Sequence, residues 1–434
     1  METINLKYGK GSVEIPVKGA KSVEMLLENP MREISDIKKE FINCVTDGVI
    51  GTKPLNKLIN ADDKITIVIS DLTRFWMHQD VICELLVKYL HDEIGAAFEN
   101  IVVVVALGTH RKNTQDELKT LASEYVYNNV KVVDHDCDAQ NLVNVGKTTY
   151  GTDVYVNCYA VGRKVIVISG TVHHIMAGYG GGRKSIIPGI AGRQTIKMNH
   201  SMALDPNEKK SNVLIGSGKL IKNPINDDME QAGRMVNPVF GISICVNSAS
   251  KHSALFCGDF DMAWKESCMY IQKSYGLPIN YEADVVFASC GGFPKDLNFY
   301  QSVKSLLNAV NAMKKGGTLV LLAQCSEGSG AKDFFDWIIP LREGHLDESL
   351  RKEFTIAGYI FYAACEAIRK GNVVLLSELD PEEVKAMGVT AYSDINELMK
   401  HIDIKDKDVY VMPYGGSVLP QLKETYDKLV NELK

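Results

Sequence analysis

Lys164-Val165-Ile166-Val167-Ile168-Ser169 runs directly into Gly170-Thr171-Val172-His173-His174, and then into Gly178-Tyr179-Gly180-Gly181-Gly182-Arg183-Lys184-Ser185. After Lys164, five apolar or small residues without alternation suit a strand buried on both faces, the kind found in a parallel sheet with helices on either side. Two imidazoles, a glycine run and an amine at the end of such a strand point to a ligand site. Glycines let the backbone approach a bulky group, and successive N–H groups there can form an anion-binding nest. Two phosphate motifs fail on this segment at the same residue. A Walker loop ending at Lys184-Ser185 needs glycine where the chain has Arg183, and the dinucleotide fingerprint beginning at Gly178 needs its last glycine there too. A glycine-rich turn with a solvated Lys184 is the structural alternative.

Outward from this segment, the same kind of run recurs at residues 64–70, 101–107 and 130–133, with helical patterns between them. After Leu277-Pro278 the pattern restarts at 284–289, 318–323, 373–376 and 409–412, with helices expected over 302–313, 354–369 and 381–387. The fold class is therefore α/β, with two doubly wound α/β domains and an interdomain active-site cleft. The expected division is an N-terminal domain over 1–275 and a Rossmann-like C-terminal domain over 280–414. Residues 273–282 would be the linker, and a C-terminal helix within 415–434 would pack back on the first domain. At 434 residues, 45% hydrophobic and 24% charged, the composition is that of a globular protein too long for one core.

The net charge of −6 offers no general attraction to nucleic acid or to an anionic membrane, and neither is expected as a partner. No apolar run is long enough to span a bilayer and the N-terminus lacks a signal-peptide pattern, so a cytoplasmic protein is expected. Ten cysteines without metal-site spacing read as reduced, mostly buried thiols.

Polar groups gather at the ends of the expected strands. Asp71 and Arg74 follow the first, His110 the second, and His173 and His174 the fourth; in the second half, the strand ending at Ser289 leads to Asp296, Tyr300, Gln301 and Lys304. His110 suits acid–base work in a loop, or caps a helix beginning near Thr114. His173 and His174 are neighbours and would point to opposite sides of an extended segment, with His174 favoured to face the ligand. Asp71 and Arg74 make a helix cap with an arginine in its first turn, or a guanidinium grip on a carboxylate or phosphate. His200 sits on or near a helix and by itself reads as a surface or core histidine.

Taken together, Asp71-x-x-Arg74, Gly108-Thr109-His110, His173-His174 with the glycine run and Lys184, Asn199-His200, and Asp296-x-Asn298-x-Tyr300-Gln301-x-x-Lys304 resemble the nickel-dependent lactate racemase family over roughly residues 65 to 305. The resemblance implies a nickel-pincer nucleotide, a pyridinium mononucleotide with sulfur-bearing arms that hold nickel, covalently attached to Lys184, with His200 as the protein's metal ligand. It implies His110 and His174 as catalytic acid–base groups. Asp71, Arg74, His173, Gly181 and Gly182 would lie at the cofactor, and Arg74, Tyr300, Gln301 and Lys304 would bind substrate. The implied partners are a small-molecule 2-hydroxy acid and the proteins that build the cofactor and insert nickel. A nicotinamide-dependent 2-hydroxy acid dehydrogenase and a non-catalytic nucleotide- or anion-binding protein are the competing readings. Two departures bear on substrate: Phe75-Trp76-Met77-His78 replaces the proline that commonly continues the Asp-x-x-Arg motif, and Tyr359-Ile360-Phe361-Tyr362-Ala363 lacks the family's tryptophan. Both are expected to line or flank the pocket.

Overall fold

The computed structural model describes residues 2–331 and 333–434. The chain forms two compact units: a central unit of Pro30–Met202, Leu214–Gln272 and Glu432–Lys434, and a terminal unit holding the residues up to Asn29, Ala203–Val213 and Lys273–Asn431.

The central unit is built on a six-stranded sheet in the order His252–Gly258, Phe240–Val246, Lys164–Gly170, Ile65–Ser70, Ile101–Ala106, Lys131–Asp134. All neighbours are parallel except the pair His252–Gly258 and Phe240–Val246. Ile65, Ile67, Val68 and Ile69 are fully buried, as are Val103 and Val105, which accounts for the unbroken apolar runs. Successive strands step outward from Ile65–Ser70 to Lys131–Asp134, and then the chain crosses to the other flank at Lys164–Gly170. The direction of winding thus reverses between Ile65–Ser70 and Lys164–Gly170. At such a reversal the connections after the two strands diverge, which opens a crevice at their carboxyl ends.

The terminal unit carries a second six-stranded sheet, all parallel, in the order Val389–Tyr392, Asn372–Leu376, Met313–Leu322, Ala283–Ser289, Asp408–Met412, Ser22–Met25. The edge strand Ser22–Met25 corrects the expected division at 1–275: the N-terminal residues belong with the C-terminal half because their backbone completes this sheet beside Asp408–Met412. The boundary between the units falls at Gln272 and Lys273, where the expected linker 273–282 begins, but this segment is not an extended connection. The helix Phe260–Tyr275 ends there, and Gly276–Ile279 pairs in parallel with Leu419–Leu422. That pairing also shortens the expected C-terminal helix, which spans Lys423–Glu432. The helix expected over 302–313 spans Phe299–Ala309, started by Asn298, whose side chain accepts from the Gln301 N–H; the following strand begins at Met313. All ten cysteines are free thiols, with Cys158 alone half-buried and the rest buried. Among the described residues no helix is long and apolar enough to cross a membrane.

Candidate active site

The two strands that flank the reversal in the central sheet deliver most of the expected site. Asp71 ends the strand Ile65–Ser70 and opens a 3-10 turn, Leu72–Met77, yet its side chain does not cap that turn. It turns instead to His110, whose Nδ1 lies 2.6 Å from Asp71 Oδ2, while Thr73 donates its hydroxyl to Oδ1. Burial pushes the Asp71 carboxyl up, but the bond and charge of His110, with Thr73 and Arg74, outweigh this and hold it below the usual carboxylate range. An ionised carboxylate accepts, so His110 carries a proton on Nδ1 and offers Nε2 outward. His110 does not cap the next helix. Thr114 does so, in a reciprocal capping box with Glu117. Asp71, expected at the cofactor, is thus spent on orienting a histidine.

His173 and His174 form a two-residue strand paired antiparallel with Gly178–Tyr179 and point to opposite sides, as expected. His173 faces inward: its Nε2 bonds Gln272 Oε1 at 2.9 Å, and the same oxygen accepts from the Tyr179 hydroxyl. Burial brings the His173 imidazole down to about 4, so it is neutral, and its Nδ1 is buried without a partner. His174 turns its Nδ1 to the backbone N–H groups of Met176 and Ala177, each at 3.2 Å.

The glycine run departs from the open nest expected of it. A Cβ on Gly181 would lie 2.8 Å from the Gly170 carbonyl oxygen, and one on Gly182 would lie 2.5 Å from the Trp264 ring; both residues have positive φ. The Gly182 N–H donates to Ser169 Oγ and the Gly180 N–H to the Val172 carbonyl. On their Cβ side, Gly181 and Gly182 therefore meet protein atoms with no room for a side chain. Arg183, the residue that breaks both phosphate motifs, is 2% exposed; its guanidinium lies 3.8 Å over the Trp264 ring and bonds Asn226 and Glu230. Trp264 in turn donates its indole N–H to the Gly180 carbonyl. This anchor holds the loop and presents the next residue, Lys184.

Lys184 is half-buried, and burial, aided by the nearby Arg74 guanidinium, brings its amine down to about 7. His200, on the helix Arg193–Ser201, is 2% exposed, and burial followed by the Lys184 charge brings it down to about 3. Its Nδ1 lies 3.2 Å from the Ile196 carbonyl, which only accepts, so the proton sits on Nδ1 and the Nε2 lone pair is available to a metal. Arg74, Lys184 and His200 thus share one electrostatic neighbourhood in the central unit, joined through Asp71 to His110.

These residues fit a lysine-tethered, metal-bearing organic group. The free amine, well populated at Lys184 near neutral pH, is the form that can be acylated, and a neutral imidazole with its second nitrogen on a carbonyl is the form that binds nickel. Among the described residues no cluster of three or more His, Cys, Asp or Glu side chains could hold a metal, so further donors would have to come from a bound group.

In the terminal unit, Tyr300, Gln301 and Lys304 lie in the first two turns of the helix Phe299–Ala309, with Gln301 and Lys304 exposed. The stretch 359–363 lies on the helix Ile356–Ile368. Tyr359, Phe361 and Tyr362 are buried there, the first bonded to Ser211 and the last to Asp347, both in the same unit. Trp76, by contrast, is half-buried, and its ring edge lies 3.1 Å from where a Cβ on Gly170 would stand. Sequence reading missed Gln272, Trp264 and Asn226; each meets its partner some 40 to 100 residues away, beyond any local spacing signal.

The lactate racemase N-terminal domain profile matches residues 8–211 and the lactate racemase C-terminal domain profile matches residues 279–419. A lactate racemase of Thermoanaerobacterium thermosaccharolyticum is 28% identical, covering 98% of this chain and all of the relative. One from Lactiplantibacillus plantarum is 29% identical over 77% of this chain and 78% of the relative. The solved lactate racemase apoprotein from T. thermosaccharolyticum superposes with a TM-score of 0.84 at 27% identity, covering 96% of this chain and all of that one. A Thermotoga maritima protein shares the fold, with a TM-score of 0.64 at 16% identity, over 91% of this chain. With both domain profiles in order on a matching fold, the chain belongs to the lactate racemase family of isomerases.

Proposed function

We propose that this protein racemises or epimerises a 2-hydroxy acid, lactate or a close relative, by reversible hydride transfer within a site that carries a nickel-pincer nucleotide on Lys184. When bound, that group would supply a hydride acceptor next to the substrate carbon. The observation that carries the reading is the grouping of a depressed amine at Lys184 with a metal-ready imidazole at His200, beside the Asp71–His110 pair.

Inverting a carbon that bears hydroxyl, hydrogen and carboxylate is difficult by deprotonation, because the carbanion would form beside a negative charge. Loss of hydride avoids this and gives a planar 2-keto acid, open on both faces. The protein then has three tasks. His110 and His174 manage the hydroxyl proton. Arg74 would hold the carboxylate through charge-assisted bonds, and Tyr300, Gln301 and Lys304 are the further substrate groups that the family resemblance implies. Lys184 would tether the cofactor and His200 would serve as the protein's ligand to its nickel. His173, Asp71 and the loop of Gly181 and Gly182 act from behind these groups. Trp76 supplies an apolar wall near the segment that carries His174.

The reading is supported by the family membership and by the chemistry of the residues above. Its test is intact mass and nickel content of protein co-expressed with a cofactor-synthesis and nickel-insertion system, followed by chiral analysis of a 2-hydroxy acid panel. A covalent adduct with one nickel per chain and loss of optical purity is expected. Protein that gains neither adduct nor nickel refutes the cofactor assignment, and release of keto acid with consumption of nicotinamide would make it a dehydrogenase.

A further inference from the structure

We propose that the end of the central sheet away from the candidate active site carries a second small-molecule site, suited to a phosphate monoester with a short apolar substituent. A cavity of about 350 Å³ opens there, a size common among small-molecule pockets. Its wall includes Asp63, Lys64, Arg163 and Lys164, with Val161 and Met235 among its apolar members. Lys64 and Lys164 stand at the amino ends of the neighbouring parallel strands Ile65–Ser70 and Lys164–Gly170, and the Lys164 N–H donates to the Lys64 carbonyl. Asp71 and His173 follow the carboxyl ends of the same strands. The length of the sheet, about 20 Å at ~3.3 Å per residue, therefore separates the two places.

Three cations meet in this wall without a counter-ion. Arg163 is half-buried, and its bonds go only to neutral oxygens: Nε donates to Thr66 Oγ1, and one terminal nitrogen donates to the carbonyls of Ile65 and Asn100, each at 2.8 Å. Three of its five N–H groups are thereby spent, which leaves the two on the other terminal nitrogen for a ligand. Among the described residues neither lysine nor the guanidinium forms an ion pair, whereas Lys147, two residues beyond Val145 of the same wall, pairs with Asp153. Asp63 does not fill that role. Its Oδ2 is turned to its own loop, where it accepts from the Asn60 backbone N–H at 2.8 Å. Burial pushes the Arg163 guanidinium below its ordinary range, as befits a desolvated cation with no carboxylate beside it.

The charges also select the ligand. Three positive groups against one carboxylate leave two positive charges, which match a phosphate monoester, at roughly −1.5 to −2 near pH 7, better than a monocarboxylate. Phosphate oxygens can be met by ammonium groups as point charges and by the paired N–H groups of a guanidinium at once. Val161 and Met235 would then cover the substituent.

Calorimetric titration of the full apoprotein chain with phenyl phosphate at low ionic strength tests the site. One molecule per chain should bind, and added salt should weaken it. In Lys64→Gln/Lys164→Gln, which removes two charges and no described side-chain bond, affinity should fall at least about tenfold with an unchanged melting temperature. Arg163 is left intact, because its bonds tie three chain segments together. Arg74→Gln, which alters the other cation cluster of this unit, should still bind phenyl phosphate. Unweakened binding in the double lysine variant, or loss of binding in Arg74→Gln, overturns the proposal by placing the anion elsewhere. So does the absence of both heat and thermal stabilisation at about 10 mM phenyl phosphate. Inorganic phosphate should bind about fivefold more weakly for want of the apolar contact. Equal affinity for it, or a preference for succinate, overturns the assigned ligand class.

Discussion

The amine of Lys184 should react at neutral pH as no exposed lysine of this protein does. A drop from the usual 10.5 to about 7 disfavours the ammonium form by roughly 5 kcal/mol. At pH 7 about half of the Lys184 side chains would then be free amine, against roughly one in 3,000 for an unperturbed lysine. Trace acylation of the apoprotein with acetic anhydride, read by peptide mass spectrometry from about pH 6 to pH 10, measures this directly. The Lys184 rate should rise with a midpoint near 7 and then level off, while the exposed lysines keep rising to the end of the range. In Arg74→Gln the midpoint should move up by less than half of the total displacement, because burial is the larger cause and the guanidinium the smaller. A Lys184 rate that parallels the exposed lysines, or a full return to the ordinary range in Arg74→Gln, would refute the reasoning. The same shift has a stability consequence: between about pH 7 and 10.5 the unfolded chain binds the extra proton, so apoprotein stability should gain from this group as pH rises across that window.

At the acid end, His173 at about 4 and His200 at about 3 both lie below the ordinary histidine value, so the unfolded chain takes up two protons that the folded chain refuses. Apoprotein stability should fall below about pH 6.5, by up to about 2.7 kcal/mol per pH unit from this pair, and calorimetry on His200→Gln should show about half that slope. Asp71→Asn keeps the volume but loses the charge that orients His110 and balances its proton; turnover should drop about 100-fold or more with little change in melting temperature, and an unchanged rate would remove Asp71 from the mechanism. His200→Ala should leave a folded protein that retains little nickel after desalting, whereas a stoichiometric metal content would place the ligand elsewhere. Arg183→Met should cost on the order of 3 kcal/mol in denaturant unfolding, since the stacked guanidinium is lost from over Trp264 and Glu230 loses its buried partner; a loss under about 1 kcal/mol would show the anchor to be dispensable.

The sequence by itself determined the α/β class, the buried strands and the strand ends where polar groups collect, because continuous apolar runs and the residues that break them are local properties of the chain. The resemblance of the ordered motifs to one family was legible for the same reason: each is a short stretch with fixed internal spacing. Only the tertiary structure decided that Ser22–Met25 completes the sheet of the far half, since an edge strand is chosen by backbone bonds to Asp408–Met412 and not by its own four residues. It also decided that the space beside Gly181 and Gly182 belongs to Gly170 and Trp264, and that Arg183 is an anchor where a solvated loop was conceivable. The protonation of the site was equally out of reach of sequence. Whether a histidine offers a lone pair or a proton depends on which group meets its inner nitrogen, a carboxylate 39 residues away for His110 and two backbone amides for His174, and whether a lysine is charged depends on the water that folding removes from it.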